Sequence, residues 1–200
     1  MSGFQRSSGF TLLELIITIV ILAIVASFAV PSFRETVLNN RLTSQINEAS
    51  SLMSYARSEA SKMQDGVITV CASADSASCS GANTWETGWI VMRDLDGDRV
   101  LDAGDDQLLR ISQALEGGNT MRIAGLTSGG GSFVQFSGNG FPIPPGIGLS
   151  AAGTITVCDS RGAAAARAIV VSVSGQTRLA RDTSGNGVLN DHNNANITCP

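Results

Sequence analysis

The chain has 200 residues, enough for one folded domain and an appendage. Its formal net charge is −4, from 13 basic and 17 acidic residues, which speaks against a protein that grips nucleic acid through a broadly basic surface. The only histidine is His192 and no Cys-x-x-Cys pair exists, so a zinc centre lacks its usual ligand spacing.

The first element is "SSGFTLLELIITIVILAIVASFAVPSF" (7–33). Between residues 10 and 30 its only polar side chains are Thr11, Glu14, Thr18 and Ser27. The apolar run is about 20 residues, the length that crosses a bilayer as a helix. A removable signal peptide with "SFA" (27–29) as cleavage site, or a plain anchor, would leave Glu14 without a purpose. A carboxylate inside hydrocarbon is expensive and marks function.

The stretch "GFTLLELI" resembles the processing signal of type IV pilins and type II secretion pseudopilins. The short basic leader, the Gly-Phe junction, the acid, the unbroken apolar run and Pro31 in "VPSF" agree together. The resemblance implies that a prepilin peptidase cuts between Gly9 and Phe10 and that Phe10 is then N-methylated. It implies a mature chain with Glu14 as fifth residue and 12 basic against 17 acidic residues, a net −5. It further implies that Glu14 meets the N-terminal ammonium of a neighbouring subunit during assembly. Each charge alone would be costly in low dielectric; paired, they compensate.

Beyond Pro31 the pattern turns amphipathic. Leu38, Leu42, Ile46, Ala49, Met53, Ala56 and Ala60 recur every three or four residues, with Arg41, Ser44, Gln45 and Glu48 among the polar positions between them. One helix is expected from about 11 to 62, with Pro31 tending to kink it and Gly66 of "QDG" as its C-cap. Residues 38–63, with "ARSEA", resemble the GspH/FimT branch of the pilins, FimU-like members included.

Eight β-rich runs follow, at 67–72, 88–94, 107–112, 120–125, 132–137, 154–159, 168–174 and 177–181, separated by Gly, Asp and Ser clusters. The expected fold is α+β: a long helix whose second half packs against two small antiparallel sheets. With the resemblance, the expected division is a leader (1–9), a transmembrane or filament-core helix (10–31), an amphipathic helix (32–66) and a periplasmic β domain (67–200). The loop 138–153, with Pro142, Pro144 and Pro145, reads as a rigid crossing between sheets or as a contact surface. "WETGWIVMRDLDGD" (85–98) also resembles the GspH/FimT branch, and Trp85 and Trp89 read as core aromatics.

Four cysteines downstream of a membrane-targeting segment imply two disulfides in an oxidising compartment. Three pairings are open. Cys71–Cys79 with Cys158–Cys199 is favoured, because the small residues of "CASADSASC" let that loop close on itself.

In "DLDGDRVLDAGDD" (94–106), Asp94, Asp96, Asp98, Asp102 and Asp105 fall at the spacings of a calcium loop. Arg99, however, stands where the turning glycine belongs, and the closing residue is not glutamate. A solvated Asp-rich hairpin without cofactor is the plainer expectation. Catalysis is not expected: a triad needs a histidine base, and His192 sits in an Asn-rich tail without a partner motif. The resemblance raises one alternative, a DNA-binding minor pilin for natural transformation. In "GQTRLAR" (175–181) Arg178 and Arg181 remain of the branch's arginine motif, with Gln176 in place of the first arginine and Arg161 and Arg167 as neighbours to consider. DNA is nevertheless not the expected partner. Other pilins, the prepilin peptidase and the inner membrane are. Whether the machine is a type IV pilus or a type II secretion system is open at this point.

Overall fold

A computed structural model describes residues 10–126, 132–144 and 151–200. The leader with Gly9, and Pro145 of the proline loop, lie outside them. The described residues form two units, one ending at Asn40 and one running from Arg41 to Pro200, and one helix, α1 (Leu12–Ala60), runs through both. From Leu12 to Val30 α1 is apolar apart from Glu14, Thr18 and Ser27, and every residue from 12 to 37 is exposed. The helix continues through Pro31, which has no N–H to give the Ser27 carbonyl.

In the second unit α1 presents a stripe of Leu42, Ile46, Ala49, Met53, Ala56 and Ala60, all buried. The three alanines lack bulk, so the helix can lie close to the sheets. Gln45 joins this stripe, contrary to its place among the polar positions of the sequence pattern. Its amide donates to the Glu116 carbonyl and accepts from Asn119 Nδ2 at 2.7 Å. Burial is tolerated there because both ends of the amide are satisfied.

The β domain contains eight strands: β1 (Val67–Ala72), β2 (Trp89–Asp94), β3 (Gln107–Ser112), β4 (Thr120–Gly125), β5 (Phe133–Ser137), β6 (Gly153–Cys158), β7 (Arg167–Val171) and β8 (Thr177–Leu179). They make two four-stranded sheets, ordered β3-β2-β1-β5 and β4-β6-β7-β8. Every pairing is antiparallel. The core lies between these sheets and α1. It holds Trp85, Trp89, Val91 and Phe136 from one side and Ile155, Val157, Ile169 and Val171 from the other, all at most 1% exposed. Burying each of the larger side chains stabilises the fold by about 1.5–3 kcal/mol.

Most strand ends lie within a residue or two of the sequence reading, and two boundaries differ for reasons the structure shows. The helix ends at Ala60, not at "QDG". Lys62 and Met63 donate to the Glu59 and Ala60 carbonyls, tightening the last turn. Gly66 is needed for another reason. Its φ is 84°, and a Cβ there would lie 2.9 Å from the Asp94 carbonyl oxygen and from Leu95 Cα. The run 168–174 stops at Val171, because Ser172–Gly175 forms the turn into β8: Gly175 N–H donates to the Ser172 carbonyl at 2.8 Å.

The sheet ends are covered by side chains and loops. Asn83 lies along β4 like a peptide unit, accepting from Ile123 N–H and donating to Ile123 C=O, both at 2.9 Å. Glu86 accepts from Met121 N–H and from Arg122. Trp85 Nε1 donates to the Ser132 hydroxyl, which donates in turn to Asn83. Along β5, Pro142 bridges Phe136 and Ile143 N–H donates to the Gln135 carbonyl. Such devices keep an open strand edge from templating aggregation.

Candidate functional site

At the start of α1, Thr11 and Glu14 bond reciprocally. The Thr11 hydroxyl accepts from Glu14 N–H, and the Glu14 carboxylate accepts from Thr11 N–H, each at 3.2 Å. The Thr11 hydroxyl also reaches the carboxylate at 3.2 Å. This is a capping box, which satisfies two helix-end donors that have no partner in the helix. The Thr-x-x-Glu spacing is the sequence signal for it. Glu14 therefore has a local task as well as the intersubunit one implied by resemblance. Phe10 stands 87% exposed immediately before it. Leu12, Ile16, Ile19, Leu22 and Val25 follow as exposed apolar side chains. The stretch from Leu12 to Val30 rises about 28 Å at 1.5 Å per residue, close to the hydrocarbon thickness of a bilayer.

In the β domain the structure joins Cys71 to Cys79 and Cys158 to Cys199. The short loop closes around Asp75, whose carboxylate accepts from Ala77 N–H, Ser78 N–H and the Ser73 and Ser78 hydroxyls. The long bridge ties the tail to β6.

The Asp-rich segment is a loop between β2 and β3. Carboxylates of Asp94, Asp96 and Asp98 come within 4.8 Å of one another, a group that does not include Asp102 or Asp105. Asp94 is fully buried. Its Oδ1 accepts from Gly97 N–H, and its Oδ2 from the Thr69 hydroxyl at 2.7 Å and Arg99 N–H at 3.1 Å. Gln135 Nε2 approaches the same oxygen at 3.4 Å. Arg99 adopts φ 74°, the left-handed conformation usually left to glycine. Asp106, absent from the sequence-level ligand set, accepts from Leu95 N–H and Asp102 N–H and closes the loop. Asp94 thus organises the loop through protein donors. Asp94→Asn should lower stability by about 1–3 kcal/mol, since the amide turns N–H groups toward buried donors. A urea midpoint equal to that of the parent chain would refute this role.

The family model described as Type II transport protein GspH matches residues 45–175. The chain belongs to the GspH family. A second model, the prokaryotic N-terminal methylation motif, matches residues 4–30 and so brackets Gly9, Phe10 and Glu14. Among solved structures the chain is similar to the type IV minor pilin FimU of Pseudomonas aeruginosa strain PAO1. The P21 crystal form gives a TM-score of 0.50 at 22% identity, covering 71% of this chain and 90% of that one. The P65 form gives 0.48 at 20% identity, covering 70% and 92%. That likeness is one of fold. No curated protein matches the chain.

Within this GspH-family fold the arginines of the DNA alternative are dispersed in their bonding. Arg178, on β8, and Arg181, just after it, are exposed. Arg161 forms an ion pair with Asp159 at 2.7 Å, and Arg167 donates to the Ala165 and Ala166 carbonyls. His192 is held by Thr154, whose hydroxyl accepts His192 N–H at 2.8 Å and lies 3.0 Å from Nδ1. It anchors the tail on β6.

Three carboxyls are held below their ordinary range. For Asp75 the main cause is the Ser78 hydroxyl, helped by backbone amides. For Asp159, burial pushes upward, but the bonds from Arg161 outweigh it. For Asp182, the Gly187 amide leads, then, against the upward push of desolvation, the amides of Gly185 and Asn186. Asp102 moves the other way, raised by desolvation and by Asp98 and Asp106. Depressed carboxyls stabilise the fold above their unfolded pKa, and that stability is lost as pH falls through the folded value. Acidification below the ordinary carboxylate range, about pH 4, should therefore progressively weaken the loops at 75–78 and 182–187. Amide exchange at Ser78 and Gly187 reads this directly; protection that rises on acidification would contradict it.

Proposed function

We propose that this chain is a structural minor pilin or pseudopilin. A prepilin peptidase cuts it between Gly9 and Phe10, and Phe10 is N-methylated. Residues 10–31 hold it in the inner membrane with the β domain in the periplasm. They later enter the core of a filament, where Glu14 and Pro31 take part in assembly. Its neighbours are other major and minor pilins of a type IV pilus or a type II secretion pseudopilus. One observation carries this reading: an exposed apolar helix that begins with a carboxylate, inside a sequence matching the N-terminal methylation motif.

The capping box adds a physical reason for the order of events. Thr11 and Glu14 can satisfy each other while the subunit waits in the membrane. On assembly the exposed carboxylate at the helix start is open to a neighbouring ammonium.

Mass spectrometry of the mature N-terminus tests the processing. The expected start is methylated Phe10, and Gly9→Val should leave the leader attached. A start near Val30 would instead make the apolar segment a discarded signal peptide and overturn the proposal.

A further inference from the structure

The last turns of α1 and the turn between β7 and β8 line a groove of about 330 Å³. Arg57, half-buried, lines it, with Nε donating to the Gly140 carbonyl at 3.2 Å. That bond ties α1 to the turn after β5. The turn between β7 and β8 comes so close that a Cβ on Gly175 would lie 2.6 Å from the Gly140 oxygen and 3.1 Å from Arg57 Cδ. Only glycine fits there, at φ 75°.

The guanidinium makes no other hydrogen bond among the described residues. All 17 acidic residues of the chain lie among the described residues. None forms an ion pair with Arg57; the pairs found join Lys62 to Glu59, Arg122 to Glu86 and Arg161 to Asp159. Ser54 and Ser61 turn their hydroxyls back to helix carbonyls. That leaves Arg57, Ser58 and Gln176 as donor-bearing residues lining one space, with Thr177 beside them. Donors gathered around a guanidinium fit a carboxylate. Each of the two turns also carries an exposed apolar side chain, Phe141 at 46% and Val173 at 58%. A small free anion has no use for those. A protein surface does, because interfaces combine apolar contact with a few desolvated polar anchors.

We propose that this groove is a docking site for an acidic loop of a neighbouring pilin subunit, whose carboxylate binds Arg57 while flanking apolar residues rest on Phe141 and Val173. The inference builds on the subunit reading above and adds where one neighbour contacts this chain. A guanidinium buried against a partner is a common anchor of such contacts, and its removal affects the off-rate most.

The decisive variant is Gln176→Glu. Gln176 is exposed and its side chain has no bonding partner among the described residues, so the fold is unaffected, but the new carboxylate satisfies Arg57 internally and repels an incoming acid. Incorporation into sheared filaments should fall at least fivefold, with the thermal midpoint unchanged. Arg57→Lys should fall less, since a point charge remains. In parallel, the full-length chain in detergent is titrated with a synthetic peptide of sequence DLDGDRVLDAGDD as a model acidic loop, with its Asp→Asn counterpart, and with inorganic phosphate. Binding of the acidic peptide, lost in its amide form and weakened fivefold or more by Gln176→Glu, supports the site. Phosphate binding as tightly as the peptide makes it an adventitious ion site only and overturns the proposal. So does wild-type incorporation of Gln176→Glu; if Glu14→Ala is then still excluded from filaments, the subunit reading stands and the docking site alone falls.

Discussion

Replacing Glu14 by alanine should reduce incorporation into filaments about a hundredfold or more, with processing between Gly9 and Phe10 intact. Breaking a buried ion pair by removing one partner costs about 3–5 kcal/mol, because the other charge is left unpaired in low dielectric. The structure shows a second role that the same substitution removes: the carboxylate caps Thr11 N–H. Loss of one cap is worth only about 1 kcal/mol, so the two roles differ enough in size to be told apart.

Two further variants separate them. Glu14→Gln keeps an acceptor for Thr11 N–H, since glutamine also closes a capping box, but it removes the charge. Thr11→Val removes the hydroxyl that accepts Glu14 N–H and keeps the charge. If pairing with a neighbouring ammonium dominates, Glu14→Gln is nearly as defective as Glu14→Ala, and Thr11→Val assembles close to normally. The reverse order, a tolerated glutamine and a defective valine, would make Glu14 a helix-starting residue and remove the electrostatic basis of the assembly proposal. The readout is the fraction of subunit in sheared filaments, with the mature N-terminus checked by mass.

What the sequence made legible was local. The helix stripe from Leu42 to Ala60 and the eight β runs follow from side-chain periods of 3.6 and 2, and the two sheets follow from those runs. The Gly-Phe junction and the apolar run are contiguous features, matched by the methylation motif. The missed features join residues far apart. Gln45 reads as polar surface until Asn119 and Glu116 arrive from 74 and 71 residues away. Asn83 looks like a loop residue, yet its amide completes the edge of β4, 40 residues on. Asp94 was legible as a member of an acidic series. That it would be buried depended on Thr69 and Gln135 on strands β1 and β5. Of the five aspartates spaced like calcium ligands, the fold gathers three, because Asp106 draws the end of the loop back through Leu95 and Asp102. Hydrogen bonds of this kind leave no periodic trace in a sequence.

Opening the Cys158–Cys199 bridge should be the most damaging change to the β domain itself. The bridge spans 41 residues, and the loop-closure estimate for that length is about 4 kcal/mol, against about 2.5 kcal/mol for the eight-residue span of Cys71–Cys79. The tail that it secures has few other attachments to the sheet. Ile197 packs with Ala166, Ala168, Val170 and Ala180 in a small cluster that includes Cys158 itself. Most tail hydrogen bonds are internal: Asn190 with Thr183 and Asn196, Ile197 with Leu189, and Asp182 with the amides that follow it. Such a segment holds its own shape but depends on the bridge, the Ile197 cluster and the Thr154–His192 contact for its position. Cys158→Ser with Cys199→Ser, which leaves no reactive thiol, should therefore lower the urea midpoint more than Cys71→Ser with Cys79→Ser. It should also expose amides 182–199 to exchange while β1, β2 and β5 keep their protection. If the short-loop pair is the more destabilised, or if the tail amides stay protected without the bridge, then packing around Ile197 rather than the disulfide positions the tail.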